Sequence, residues 1–205
     1  MTYFFKFLIT VSFAATLTGL AQAGNVRQAD TVVELFTSQG CSSCPPADKI
    51  MGELVKNPAI LGLSYAVTYW DYIGWKDIFG SPKNDERQVR YRDRMKARYV
   101  YTPQMVIAGE EHFVGSNAAQ LKNKLQQFQG HAKAIPLKWY FEGSTLKVEL
   151  PASQAKAVIW QVDIDHNKPV KIRRGENTGK VLTYHNVVRD TRKIGTWNGQ
   201  KKIIS

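Results

Sequence analysis

Cys41 and Cys44 stand three positions apart within Gly40-Cys41-Ser42-Ser43-Cys44-Pro45-Pro46, and they are the only cysteines of the 205-residue chain. Two thiols at this spacing can close a small disulfide. One can attack a foreign disulfide as a thiolate, and the other can then resolve the mixed disulfide that forms. The chemistry needs the attacking thiol below its usual pKa of about 8.5, which a helix start provides, because unpaired N–H groups and the positive end of the helix dipole favour a thiolate. As a structural staple the pair would do little, since closing so short a loop removes little chain entropy. As half of a zinc site it lacks partners: no other cysteine exists, and His112, His131, His166 and His185 show no ligand-like spacing.

The flanking elements fit the redox use. Thr31 to Phe36 is a compact, β-branched run that reads as a buried strand, with Glu34 as its one charged residue. Ala47 to Lys56 reads as a helix with Ile50, Leu54, Met51 and Val55 on one face. Pro45 and Pro46 suit its first turn, where no intrahelical N–H is lost. A Cys-x-x-Cys between a strand and a helix start is a redox arrangement.

Further along, Leu61 to Tyr69 alternates as a second strand and runs into an aromatic loop holding Trp70, Asp71, Gly74 and Trp75. Ser81-Pro82 opens a charged helix predicted to reach Arg98, with Val89, Met95 and nearby tyrosines turned inward. Gln104 to Ala108 and Glu111 to Val114 read as a hairpin, and Ser116 as the cap of a helix over 117–128. The order strand, helix, strand, helix, strand, strand, helix predicts an α/β sandwich with a mixed sheet. From Ile135 onward the texture is all β: short runs over 137–141, 145–150, 156–164, 170–173 and 181–188 are separated by Glu142-Gly143, Asn167-Lys168-Pro169, Asn177-Thr178-Gly179 and Asn198-Gly199, the last read as a hairpin turn. The expected division is a leader over 1–23, an α/β domain over 24–132 and a smaller all-β C-terminal domain over 133–205. In α/β sheets ligands gather beyond the carboxyl ends of the strands, which makes Trp70, Asp71 and Trp75 candidate substrate-binding residues.

Composition limits the setting. Lys6, the apolar run from Phe7 to Leu20, and Ala21-Gln22-Ala23 form a cleavable secretory signal, so the expected location is periplasmic or secreted, an oxidising compartment. No later segment is apolar enough to span a bilayer. The formal charge of +11 comes from scattered Lys and Arg residues with no nucleic-acid motif, which leaves at most an attraction to anionic surfaces.

Val33 to Asp48, together with Tyr69-Trp70-Asp71-Tyr72, Gly74-Trp75-Lys76-Asp77, Tyr101-Thr102-Pro103-Gln104 and Gly175-Glu176-Asn177, resembles the blocks of a secreted bacterial family catalogued as domain of unknown function 1223. The resemblance covers essentially all of the chain after the leader. It implies a thioredoxin-like fold and supplies no activity. At a wider level the chain is similar to thioredoxin-fold oxidoreductases. That similarity implies Cys41 as the exposed nucleophile, Cys44 as the buried resolving thiol, Glu34 as the buried acid that moves its proton, and Pro103 as a cis-proline facing the disulfide. Thr102 and Gln104 would help to hold the partner backbone. The chain departs from familiar members in having Ser42-Ser43 between the cysteines, Gly40 rather than Trp before them, and a loop one residue longer after Glu34, which leaves the direction of electron flow open. Two functions follow. One is a thiol–disulfide oxidoreductase with no cofactor and no metal, acting on protein or small-molecule thiols and disulfides. The other is a non-catalytic binding module, a redox sensor or a soft-metal site such as one for Cu(I).

Overall fold

In the computed structural model, residues 26–130 and 135–205 are described; the expected leader over 1–23 and the junction expected between 132 and 133 lie outside them. Strand β1 (Thr31–Thr37) leads through the cysteine loop to α1 (Pro45–Leu54) and β2 (Ile60–Ala66). Then come a 3-10 turn (Asp71–Ile73), α2 (Pro82–Arg94), β3 (Gln104–Ile107), β4 (Glu111–Val114) and α3 (Ala118–Gln127). The rest is β: β5 (Lys138–Glu142), β6 (Thr145–Leu150), β7 (Ala157–Lys171), β8 (Val181–Trp197) and β9 (Lys202–Ile204).

The molecule is mixed α/β. Six strands form one mixed sheet in the order β4-β3-β1-β2-β8-β7, and β5-β6-β9 form a second. β1 is central, parallel to β2 in the register Thr31↔Ile60 to Thr37↔Ala66 and antiparallel to β3. Helices cover it on both sides, which is why its sequence is apolar nearly throughout. The pleat sends Val33 and Leu35 to one face, against Ala47 and Met51 of α1, Met105 and Ile107 of β3 and Leu121 of α3. It sends Phe36 to the other face, with Tyr65, Val106 and Tyr91 of α2.

Several elements differ from the sequence-based expectations. β2 ends at Ala66 rather than Tyr69, because Asp85 at the start of α2 takes the Thr68 N–H at 2.9 Å and the Thr68 hydroxyl, drawing the chain off the sheet. α2 stops at Arg94, and Lys96 follows with a φ of 53°. Its inward face is polar: Asn84, Gln88 and Tyr91 are buried, and Asn84 Nδ2 donates to Ala66 O at 2.8 Å. The cap of α3 is Asn117, whose Oδ1 accepts the Gln120 N–H, rather than Ser116. Asn167-Lys168-Pro169 is no turn. β7 runs through it, pairing Pro169 with Thr183, as a sheet-edge strand can accommodate a residue with no N–H. Asn198-Gly199 closes no hairpin, because β9 pairs with β6. Gly199 is required there: φ is 91° and a Cβ would lie 2.3 Å from Ser153 O. The long β7–β8 pair extends the sheet that holds β1, joining β2 in parallel at Ser64↔Val187.

Candidate functional site

The cysteine loop begins where β1 ends. Ser38 O accepts the Cys41 N–H, Cys41 O accepts the Cys44 N–H, and Cys44 O accepts those of Ala47 and Asp48. Cys44 is thus the N-cap of α1, with prolines in its first two positions. Cys41 and Cys44 are joined in a disulfide with Cα atoms 5.4 Å apart, and Ser43 Oγ lies 3.3 Å from Cys41 Sγ. Cys44 is fully buried. Cys41, expected to be exposed, is only 2% exposed.

Two distant loops close around this one. Asn177 Nδ2 donates to Gln39 O at 3.0 Å and to Cys41 O at 2.9 Å, and Glu176 Oε2 accepts the Ser42 N–H at 3.2 Å. Gly175 can make this approach because it lacks a side chain: its φ is 75°, and a Cβ would sit 3.3 Å from Ile73 O. On the other side a Cβ on Gly40 would lie 3.2 Å from Trp70 O. Trp75 Nε1 donates to Gln39 Oε1 at 2.8 Å, and Asp71 Oδ1 accepts the Asp77 N–H at 3.0 Å.

Pro103 follows a cis peptide bond and is buried. A Cβ on Gly115 would touch both Pro103 and Ala47, at 3.3 and 3.2 Å, which puts this proline against the first turn of α1. Thr102 Oγ1 accepts from Trp70 Nε1 at 2.7 Å. Of the residues singled out in the sequence, Thr102, Pro103, Trp70, Asp71 and Trp75 therefore come together in the loops around Cys41 and Cys44. Glu34 and Gln104 do not. Both project from the opposite face of the sheet, toward α2. Glu34 accepts from Arg87 Nε at 2.5 Å, Arg87 Nη2 at 2.7 Å and the Tyr91 hydroxyl at 2.6 Å. Gln104 Oε1 accepts from Gln88 Nε2 at 2.9 Å.

The acid on the disulfide's side is Asp48, one helical turn after Cys44 and 4% exposed. Its Oδ1 accepts the Thr37 hydroxyl at 2.8 Å, and its Oδ2 has no hydrogen-bond partner among the described residues. Burial pushes its pKa up to about 8; the Thr37 hydrogen bond opposes this and the charge of Asp77 adds to it. Asp48 is therefore largely protonated at neutral pH. Asp77 is also buried, and burial raises its pKa to about 6 although the Gln39 and Phe79 N–H groups favour its charged form. The Tyr184 hydroxyl and Gln39 Nε2 are buried without partners as well. A cluster of proton-bearing groups thus underlies the start of α1.

Sequence reasoning met Gln39, Asp48, Asp77, Glu176 and Asn177 as members of the family blocks and gave none of them a role at the site. A signal for Asp48 was available: it lies three and four residues before Met51 and Gly52, on the buried stripe of α1. Among the described residues no three His, Cys, Asp or Glu side chains are placed to share a metal ion, and no helix is long and apolar enough to cross a membrane.

Comparison with known proteins places the chain in a group. A family model described as "Protein of unknown function (DUF1223)" matches residues 32–205. The crystal structure of protein AGR_C_4864 from Agrobacterium tumefaciens is similar at 32% identity and a TM-score of 0.76, covering 87% of this chain and 78% of that one. HBP35 of Porphyromonas gingivalis is similar in fold, at 12% identity and a TM-score of 0.54, covering 86% of this chain and 63% of that one. No curated protein sequence matches.

Proposed function

The chain belongs to the family of unknown function DUF1223, and we propose that this member is an exported, thioredoxin-like thiol–disulfide oxidoreductase working at Cys41 and Cys44. The observation that carries the reading is the Cys-x-x-Cys disulfide at the N-cap of α1 with a buried, protonated carboxyl one turn behind it.

A substrate thiolate attacks Cys41 Sγ. The Cys41–Cys44 bond breaks, Cys44 leaves as a thiolate, and a mixed disulfide joins Cys41 to the substrate. Pro45 and Pro46 offer no N–H to that thiolate, and the Ala47 and Asp48 N–H groups are taken by Cys44 O, so the helix start stabilises it mainly through its dipole. Asp48 supplies the proton that converts it to a thiol, a role that Glu34, held by Arg87 and Tyr91 on the other face, is badly placed to fill. A second substrate thiolate then attacks the substrate sulfur of the mixed disulfide, and Cys41 leaves and is protonated from solvent. Asp48 regains its proton from solvent, so that over the cycle the substrate dithiol has lost two electrons and two protons and the cysteine pair has gained both. Run backwards, the same steps reduce a substrate disulfide. Because Cys41 is 2% exposed, attack on it needs movement of a loop packed beside it, and we assign this to the Gly175–Asn177 loop, which is hydrogen-bonded to Cys41 O and to the Ser42 N–H.

The test is turnover of a dithiol substrate. Cys41→Ser abolishes it, and Cys44→Ser accumulates mixed disulfides. Turnover by Cys41→Ser equal to that of the unmodified chain overturns the reading.

A further inference from the structure

Beside the disulfide, a groove of about 680 Å³ lies between α1 and the start of β8. That volume is in the range of ligand sites. Ser42 and Pro45, the immediate neighbours of the two cysteines, form one end of it. Along it, Pro45 to Glu53 of α1 covers about 12 Å, the length of about four extended residues.

Three features describe what would fit. The first is charge. Lys49, Lys56 and Lys180 line the groove. Its acids do not balance them: Glu53 is paired with Lys56 at 2.7 Å, and Asp48 is largely uncharged at neutral pH. Burial and the nearby Lys56 lower the pKa of His185, so it adds no charge of its own there. Lys180 also donates to Asn177 Oδ1 at 2.8 Å, which leaves its positive charge in place. The second is backbone. β8 meets β2 only at Ser64↔Val187, so along Val181 to Tyr184 its edge on that side has no strand partner among the described residues. An open edge of this kind accepts an added strand through main-chain hydrogen bonds. The third is an unanswered polar atom. Asp48, 96% buried by its 4% exposure, lines the groove, and its Oδ2 has no partner.

We infer that this groove binds an acidic, extended segment of a protein substrate, which pairs with β8 along Val181–Tyr184 and sets its carboxylates against Lys49 and Lys180, bringing its own cysteine to Cys41. The inference deepens the exchange reading by naming the substrate class. A neutral or basic segment would leave the lysines unmatched, so the charge supplies selectivity and faster encounter more than bulk affinity.

The test uses the oxidised chain and two cysteine-free peptides, acetyl-Asp-Glu-Ser-Glu-Asp-amide and its neutral counterpart acetyl-Asn-Gln-Ser-Gln-Asn-amide, followed by amide chemical shifts in a ¹⁵N-labelled protein. The expected result is saturable shifts at Lys49 and Val181–Thr183 with the acidic peptide, with binding of the neutral one about tenfold weaker at low salt. Lys49→Glu should weaken the acidic peptide by about tenfold and leave exchange with 2-hydroxyethyl disulfide unchanged. Shifts that do not saturate, equal binding of the two peptides, or full affinity in Lys49→Glu overturn the inference. Failure of the unmodified chain to exchange with 2-hydroxyethyl disulfide instead overturns the exchange reading, and peptide binding without redox chemistry reports on the groove separately.

Discussion

Replacing Asp48 by Asn removes one ionisation and changes little in shape, so it isolates what a buried carboxyl does beside the disulfide. In the unfolded chain this carboxyl ionises near its ordinary value of 3.8, and in the folded chain only near about 8. Between those values the native state holds a proton that the unfolded state has released. Stability therefore falls as pH rises from about 4 to about 8, and the slope vanishes outside that window. Each pH unit is worth about 1.36 kcal/mol, so by pH 7 the penalty approaches about 4 kcal/mol as an upper limit. Local relaxation and water entry reduce it, and we expect about 2–4 kcal/mol. Asp77 is present in both proteins, so its own titration largely cancels in the difference. Urea unfolding of both proteins with the disulfide intact, at each unit from pH 4 to pH 8, should give nearly equal stabilities at pH 4 and an Asp48→Asn advantage that grows with pH. Exchange should move the other way. Without a proton for Cys44 the variant should turn over about a hundredfold more slowly at pH 7, the low side of what a positioned acid contributes. A stability difference that stays constant from pH 4 to pH 8 refutes the buried, protonated carboxyl.

Two further substitutions separate structure from chemistry. Glu34→Gln strips Arg87 of its paired charge within a largely buried cluster, so it should cost about 3–5 kcal/mol in denaturant unfolding while turnover per folded molecule stays at the unmodified level; a large turnover defect in the folded fraction would return Glu34 to the reaction. Asn177→Ala loses both hydrogen bonds to the carbonyls of Gln39 and Cys41, so it should lower stability by about 1–3 kcal/mol and speed reduction of the disulfide by dithiothreitol; an unchanged reduction rate would mean that this loop does not limit access to Cys41.

What the sequence made readable was local. β1, the cysteine loop and α1 follow one another within 24 residues, and the hydrophobic period, the prolines and the cysteine spacing all agree there. Pro103 as a cis-proline was implied by the resemblance to thioredoxin-fold proteins, and the Thr102–Pro103 peptide is cis. Long-range partners left no such trace. The resemblance implied Glu34 as a proton carrier, and nothing near it in sequence answers its charge; Arg87, which does, is 53 residues away. Asn177 resembled simple turn chemistry, yet it reaches Cys41 across 136 residues. The break expected at Asn167-Lys168-Pro169 failed for a related reason: turn residues are tolerated in a strand whose neighbour holds it in register, and β8 does so from Val181 to Trp197. Asp48 was missed for a different cause. A carboxyl in the first turn of a helix ordinarily complements the dipole at the surface. Only the packing of α1 beside Thr37 reveals that this one is buried and holds its proton.

The central claim is that Cys41 and Cys44 exchange with external thiols, and the most direct measurement is the reduction potential of the pair in defined dithiothreitol buffers, with alkylation of the reduced protein followed against pH. The account predicts a potential between about −120 and −270 mV, the range of exchange-active pairs, and a thiol at Cys41 that alkylates ahead of Cys44. A potential below about −300 mV, with both thiols inert to alkylation in the folded protein, would identify a structural disulfide and contradict the account.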